Sequence, residues 1–256
     1  MSMTKMQREQ RWGTTRHNMR SLDLPPPFRL LVLREAGDAF AHACAHAPRL
    51  GAGMLVFVGR FDVAEFAVVL EPDEELWSAR RSFYAGMTAI ADALSALAPP
   101  ETPITIEWPD RLKVGRGLVG GGRLGWPGLA DEHARPDWLV FGAVIRLVSM
   151  RSREAASQLQ STSLADAGFG EVGAERLVEG FARHLMVAID RWQEGDFAAI
   201  AQSYLSRLRP VRGVRRAIDA SGDLRIEGSG RPAKSLDLRA ALAMPSWLER
   251  FCGDGR

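Results

Sequence analysis

The residues whose types and spacing could do chemistry lie between Ile104 and Arg146. The turn Trp108-Pro109-Asp110 is followed by three consecutive glycines, Gly120, Gly121 and Gly122. Arg111, Lys113, Arg116 and Arg123 stand around that cluster, and Arg146 interrupts the otherwise apolar run WLVFGAVIRLV over residues 138–148. Glycine puts no Cβ between the main chain and a ligand, so a ligand can lie against the backbone there. Guanidinium and ammonium groups beside such a floor suit a carboxylate or a phosphate. A charge on a buried strand must be met by an opposite one, so Arg146 calls for either a protein carboxylate or a bound anion. Small residues on neighbouring strands, Gly142 and Ala143 beside the glycine cluster, would leave room for an apolar chain over the sheet.

Other candidates fit their chemistry less well. Gly115-x-Gly117-x-x-Gly120 has the spacing of a dinucleotide fingerprint. That motif needs a strand before it and a helix after it, and here strand-like sequence lies on both sides. The glycines therefore suit a hairpin and a close backbone approach. His42 and His46 are four apart with Cys44 between them. On a helix the two rings share a face while the thiol points elsewhere, and no third ligand is in reach, so they read as surface or partly packed histidines. No Gly-x-Ser-x-Gly or P-loop sequence is present, and the carboxylates are too scattered to pair for acid–base work.

The elements that must position these residues are legible in order. Residues 1–24 are polar and basic and read as a disordered tail. FRLLVLRE from Phe28 is a strand or extended arm, and Asp38–Ala47 is helical with Asp38 as N-cap. MLVFVGR and AEFAVVLE are paired strands joined by a tight turn at Gly59–Asp62, and their unbroken apolar runs predict that both faces are covered. Phe83, Met87, Ile90, Leu94 and Leu97 mark one face of a helix over 76–97, which Pro99-Pro100 ends. The hairpin around the glycines follows, then a central strand over 138–148 and a polar loop over 151–160. Two helices come next, joined at Glu194-Gly195-Asp196 with Asp196 as cap. After Pro210 a small hairpin and a terminal helical turn form a β-rich appendage over 211–256. Helices come in blocks rather than alternating with strands, which gives an α+β fold: a mixed sheet with helices packed on it.

The 256 residues suffice for one large domain, or for one plus a small one. A formal charge of +2 excludes a nucleic-acid partner recognised by bulk charge. Cys44 and Cys252 form no Cys-x-x-Cys pattern, which suits a reducing, cytoplasmic setting. No apolar run reaches the ~20 residues of a membrane span.

Glu107-Trp108-Pro109-Asp110 and the glycine strand after it resemble the Lys-Trp-Pro-Asn-Asp strand, hairpin and Lys-x-x-Gly strand of the biotin–protein ligases and their lipoate-ligase relatives. DWLVFGAVIRL is similar to that family's Ile-Gly-x-Gly-x-Asn strand, and Thr162-Ser163-Leu164 to its Thr-Ser-Leu. The tail from Val214 resembles the small SH3-like C-terminal domain of biotin ligases. The resemblance spans residues 28–208 at low identity. It implies a class II aminoacyl-tRNA synthetase/biotin ligase-like catalytic domain over 25–208. It further implies ATP and biotin or lipoate as ligands, an acyl-adenylate intermediate, and transfer to a lysine of a biotinyl or lipoyl carrier domain. With the steric and charge arguments above, the expected site for a small carboxylic acid is Trp108, Pro109, Asp110, Gly120, Gly121, Gly122, Gly142, Ala143 and Arg146. The sequence also departs from the pattern. The family's Arg-rich loop is replaced by Gly59-Arg60-Phe61-Asp62, and Glu107 stands where a lysine usually precedes Trp-Pro. The lysine of Lys-x-x-Gly falls at about Leu118, the asparagine of the later strand at Arg146, and its second glycine at Val144. Two readings follow: a divergent ligase, or a non-catalytic relative that binds a small acid, an acyl-adenylate or a carrier domain.

Overall fold

A computed structural model describes residues 22–149, 161–194, 197–228 and 231–248. Most of the expected basic tail, the loop at 151–160 and the Gly195-Asp196 link with its cap lie outside these residues. Leu22 to Leu24, placed by sequence in the tail, are instead fixed to the body. Leu22 and Leu24 pack on the core, and Asp23 pairs with Arg183 at 2.7 Å.

The strands β1 (Arg29–Leu33), β2 (Met54–Val58), β3 (Val63–Leu70), β4 (Ile104–Glu107), β5 (Arg111–Val114), β6 (Gly117–Gly125) and β7 (Leu139–Arg146) form one sheet in the order β1-β2-β3-β7-β6-β5-β4. β1 runs parallel to β2 and every other pairing is antiparallel, so the sheet is mixed as expected. Helix α1 (Ala39–Leu50) covers one face. Its Ala39, Ala43 and Ala47, four residues apart, pack against Val56, Val58, Ala67, Val69 and Val140, and their small side chains let the helix lie close to the strands. The opposite face carries the main core under α3 (Ser82–Leu97), α4 (Ala174–Glu194) and α5 (Phe197–Arg207), with Phe66, Phe83, Phe141 and Phe181 at its centre. β2 and β3 are therefore buried on both sides, which is why their sequences do not alternate.

The helix expected over 76–97 is two: α2 (Leu76–Ala79) and α3. The Ser78 carbonyl, which a continuous helix would give to residue 82, accepts from the N–H and the Nε of Arg81 instead. Ion pairs of Arg80 with Glu132 (2.6 Å) and of Arg81 with Glu74 (2.8 Å) hold the break. At the C-terminal end, β8 (Val214–Ile218), β9 (Leu224–Gly228) and β10 (Arg231–Leu236) form a separate antiparallel sheet, and α6 (Leu238–Ala243), capped by Asp237, follows it. Among the described residues no helix is long and apolar enough to cross a membrane.

Candidate functional site

Strand register decides where the glycines look. Gly121 lies between Arg111 of β5 and Val144 of β7, and Val144 is in register with Glu65 of β3. Side chains alternate along a strand, so Gly121, Arg123 and Gly125 share one face with Gly142, Val144 and Arg146, the face that α1 covers in part. Gly122 looks the other way: a Cβ there would stand 2.5 Å from Met87 Sδ in the main core. Ala143 is likewise part of that core. Gly120 sits at the pairing irregularity between Leu112 and Lys113, with φ 158° and the Val144 carbonyl 1.9 Å from a hypothetical Cβ, a place only glycine can fill. The sequence-predicted residues are thus divided between two faces. Gly121, Gly142 and Arg146 are on the α1 side; Gly122 and Ala143 are on the core side.

On the α1 side the floor is covered at both ends. Phe40 of α1 lies over Gly142, 2.7 Å from the place of a Cβ. Trp247, beyond α6, lies over Gly121, with its Cδ1 2.3 Å from where that Cβ would be, and its Nε1 donates to the Gly122 carbonyl at 2.9 Å. Trp247 is completely buried.

The Trp-Pro-Asp turn anchors this arrangement. Tyr204 donates to the Pro109 carbonyl at 2.7 Å; Trp108 Nε1 donates to the Tyr84 hydroxyl at 3.1 Å, which donates to the Gly222 carbonyl at 2.6 Å. Burial pushes both tyrosines well above their ordinary range, so they stay neutral donors. The buried Asp110 carboxylate accepts from the N–H (2.6 Å) and Oγ (2.5 Å) of Ser246, and Arg111 donates to the Ser246 carbonyl at 3.0 Å. Burial raises the Asp110 carboxyl, and the Ser246 bonds oppose that rise. Trp108 also lines a groove of about 1590 Å³ between β4 and the C-terminal sheet, together with Lys113, Arg116, Thr162 and Arg216.

The cations are already engaged. Arg123 pairs with Asp38 at 2.9 Å and lies 4.2 Å from the Phe40 ring; Arg111 pairs with Glu107 at 3.1 Å. The Nε atoms of Arg111 and Arg123 are nevertheless buried without a hydrogen-bond partner. Arg146 is half-buried and interacts within the chain, and its carbonyl accepts from Leu164. Glu65 is buried and accepts from the Ala39 N–H at 3.0 Å. Burial raises its carboxyl above the ordinary value of 4.5. The folded chain thus holds this proton more tightly than the unfolded chain, and the stability it gives is lost as pH rises from about 4.5 through the raised value. Glu65→Gln keeps an acceptor for Ala39 and removes the buried charge. It should raise the midpoint of thermal unfolding at pH 7 and flatten its dependence on pH above the ordinary carboxylate range. An unchanged profile would show that Glu65 is not the titrating group.

At the other expected landmarks the side chains are plain. Gly59–Asp62 is a tight turn closed by a two-bond Arg60–Asp62 pair at 3.0 and 2.7 Å. Leu118 is buried and opposite Lys113, whose ammonium pairs with Glu107 at 3.4 Å. His42 and His46 stack with ring centres 4.4 Å apart, and no group of three metal-ligating side chains occurs among the described residues. Sequence reasoning missed Phe40, Glu65, Tyr84, Ser246 and Trp247. The one signal available for Trp247 was a large aromatic just after the apolar run Leu238–Met244.

The sequence model of the biotin/lipoate A/B protein ligase family matches residues 24–206. No curated protein matches the chain. Among solved structures, a biotin protein ligase-like protein of unknown function from Silicibacter sp. TM1040 is 26% identical. The match covers 88% of this chain and 100% of that one, with a TM-score of 0.75. The biotin protein ligase of Aquifex aeolicus, in complex with biotin and ATP, is 13% identical over 81% of this chain and 95% of that one, at a TM-score of 0.62. The biotin protein ligase of Leishmania major in complex with biotinyl-5-AMP is 13% identical over 83% and 99%, at 0.51. The last two likenesses concern the fold alone.

Proposed function

The chain belongs to the biotin/lipoate A/B protein ligase family, and from that premise we propose that it binds a small carboxylic acid of the biotin or lipoate class, or its acyl-adenylate, on the Gly121 floor, without forming the adenylate itself. The observation that carries this reading is the indole of Trp247 on Gly121: the floor accepts a flat ring and offers the Gly122 carbonyl to a ring N–H. A ureido ring brings such donors, whereas a dithiolane or a plain alkyl chain would leave that carbonyl unpaired, a cost of about 1–3 kcal/mol. Biotin should therefore bind more tightly than lipoate or octanoate. The buried, unpaired Nε atoms of Arg111 and Arg123 flank the same floor and suit the acid's carboxylate.

The residues present do not fit activation of the acid by ATP. Where the family pattern has its lysine, the apolar Leu118 is buried and offers a phosphate no charge. Where the pattern has an arginine-rich loop, the Arg60 guanidinium is committed to Asp62 within a tight turn. A second reading, an active ligase passing the acyl group to a carrier-domain lysine, is favoured by three arginines, Arg111, Arg123 and Arg146, sharing the face of Gly121.

A thermal-shift screen against biotin, lipoate, octanoate, their adenylates and ATP separates the two. A ligand at about 100 times its dissociation constant adds about 2.7 kcal/mol to stability. Biotin and biotinyl-adenylate should stabilise the protein, and ATP with biotin should release no pyrophosphate. Pyrophosphate release would establish the ligase reading. Arg123→Met should weaken biotin by roughly 1.5–3 kcal/mol if it loses a charged hydrogen bond to the carboxylate. Unchanged affinity in the folded variant would remove Arg123 from the site.

A further inference from the structure

On the premise that the Gly121 floor is the ligand surface proposed above, we infer that the Ser246-Trp247 segment is a displaceable plug: the C-terminal segment and the ligand compete for one place, and the plug sets the affinity of the site. Trp247 is completely buried. Its indole rests on Gly121 and spends its single N–H on the Gly122 carbonyl, the same two features a flat ring ligand would use. It comes from outside residues 24–206, the part of the chain that the family model matches.

The segment beside the indole is held by polar bonds. Its neighbour Ser246 is fixed by polar bonds, two to the Asp110 carboxylate and one from Arg111 to its carbonyl. Such bonds exchange for water at small net cost, about 0.5–1.5 kcal/mol each, rising to about 1.5–3 when a charged group takes part. The segment hangs from α6, which is anchored independently by the buried Leu238 and Leu242, and the next residues, Ala243 and Met244, are exposed. Peeling back 246–247 thus breaks the clamp without unseating the helix. A ligand that binds only the open form has its apparent dissociation constant divided by the open fraction, so a floor open about 1% of the time binds about 100-fold more weakly than a bare one.

The test is calorimetric titration of biotin into the full chain and two variants, with folding checked by circular dichroism. Ser246→Ala cuts one bond of the clamp and leaves the floor untouched; it should tighten biotin by about 10- to 100-fold, the equivalent of one hydrogen bond to a charged group. Trp247→Ala removes the plug itself and should tighten biotin by more than Ser246→Ala does. Biotin added to the unaltered protein should also speed chymotryptic cleavage after Trp247. Should Trp247→Ala fail to fold, Ser246→Ala and the cleavage rate decide. Equal affinities in all three proteins, with cleavage unchanged, overturn the plug while leaving the binding site standing. No binding by any folded form overturns the ligand reading and the plug together.

Discussion

Gly121→Val is expected to destabilise the protein by about 3 kcal/mol or more and to abolish ligand binding at the floor. A Cβ at this position would stand 2.2 Å from the Asp110 carbonyl oxygen and 2.3 Å from Trp247 Cδ1. The carbonyl is main chain in the Trp-Pro-Asp turn, which Tyr204 and Tyr84 hold from below, so it yields only by disturbing that turn. Overpacking alone costs typically 1–3 kcal/mol, and expelling the indole adds the loss of a large buried side chain. Gly59 is the control: nothing lies within 4 Å of a Cβ there and its backbone is not left-handed, so Gly59→Ala should be neutral or stabilising by about 0.4–1 kcal/mol. Urea denaturation of both variants measures the contrast. A Gly121→Val protein as stable as the parent would mean that neither the Asp110 carbonyl nor Trp247 stands against the floor.

The sequence was informative where one residue's type determines its local geometry. Asp38 does cap α1, accepting from the Ala41 N–H, and the Gly59–Asp62 turn and the β8–β9 hairpin lie where their turn residues indicate. The mixed sheet and the helix blocks follow from the same signals. What the sequence could not show was which face each glycine serves. One register irregularity, between Leu112 and Lys113, sets the pairing of the glycine strand, and alternation then sends Gly121 and Gly122 to opposite sides. Nothing local encodes that step. The break between α2 and α3 has the same character, because it is held by Glu74 and Glu132, which lie outside the helical run. Trp247 was invisible for a related reason: its partners Gly121 and Gly122 are more than a hundred residues away, and a tryptophan after a short apolar helix carries no sign of where it will be buried.

Tyr84→Phe should cost about 2–4 kcal/mol, more than Tyr204→Phe, although both remove one buried hydroxyl. The Tyr204 hydroxyl serves a single partner, the Pro109 carbonyl, and its loss leaves one acceptor unpaired. The Tyr84 hydroxyl serves two: it accepts from Trp108 Nε1 and donates to the Gly222 carbonyl. Each buried polar group stranded in this way costs about 1–3 kcal/mol, so the two variants should differ by about one such group. The effect reaches beyond stability. The Tyr84 hydroxyl ties the strand end that carries the Trp-Pro-Asp turn to the loop between β8 and β9, and Leu224 and Leu238 beside that loop are buried in the main core. Releasing it should loosen the C-terminal sheet, which amide hydrogen exchange in β8 and β9 would register as faster opening. A double-mutant cycle with Trp108→Phe isolates the bond between the two side chains. Residues sharing a hydrogen-bond network couple by about 0.5–3 kcal/mol, so the combined loss should fall short of the sum of the single losses. Additive losses, or a Tyr84→Phe protein destabilised no more than Tyr204→Phe, would show that the turn and the C-terminal sheet are held together by packing alone.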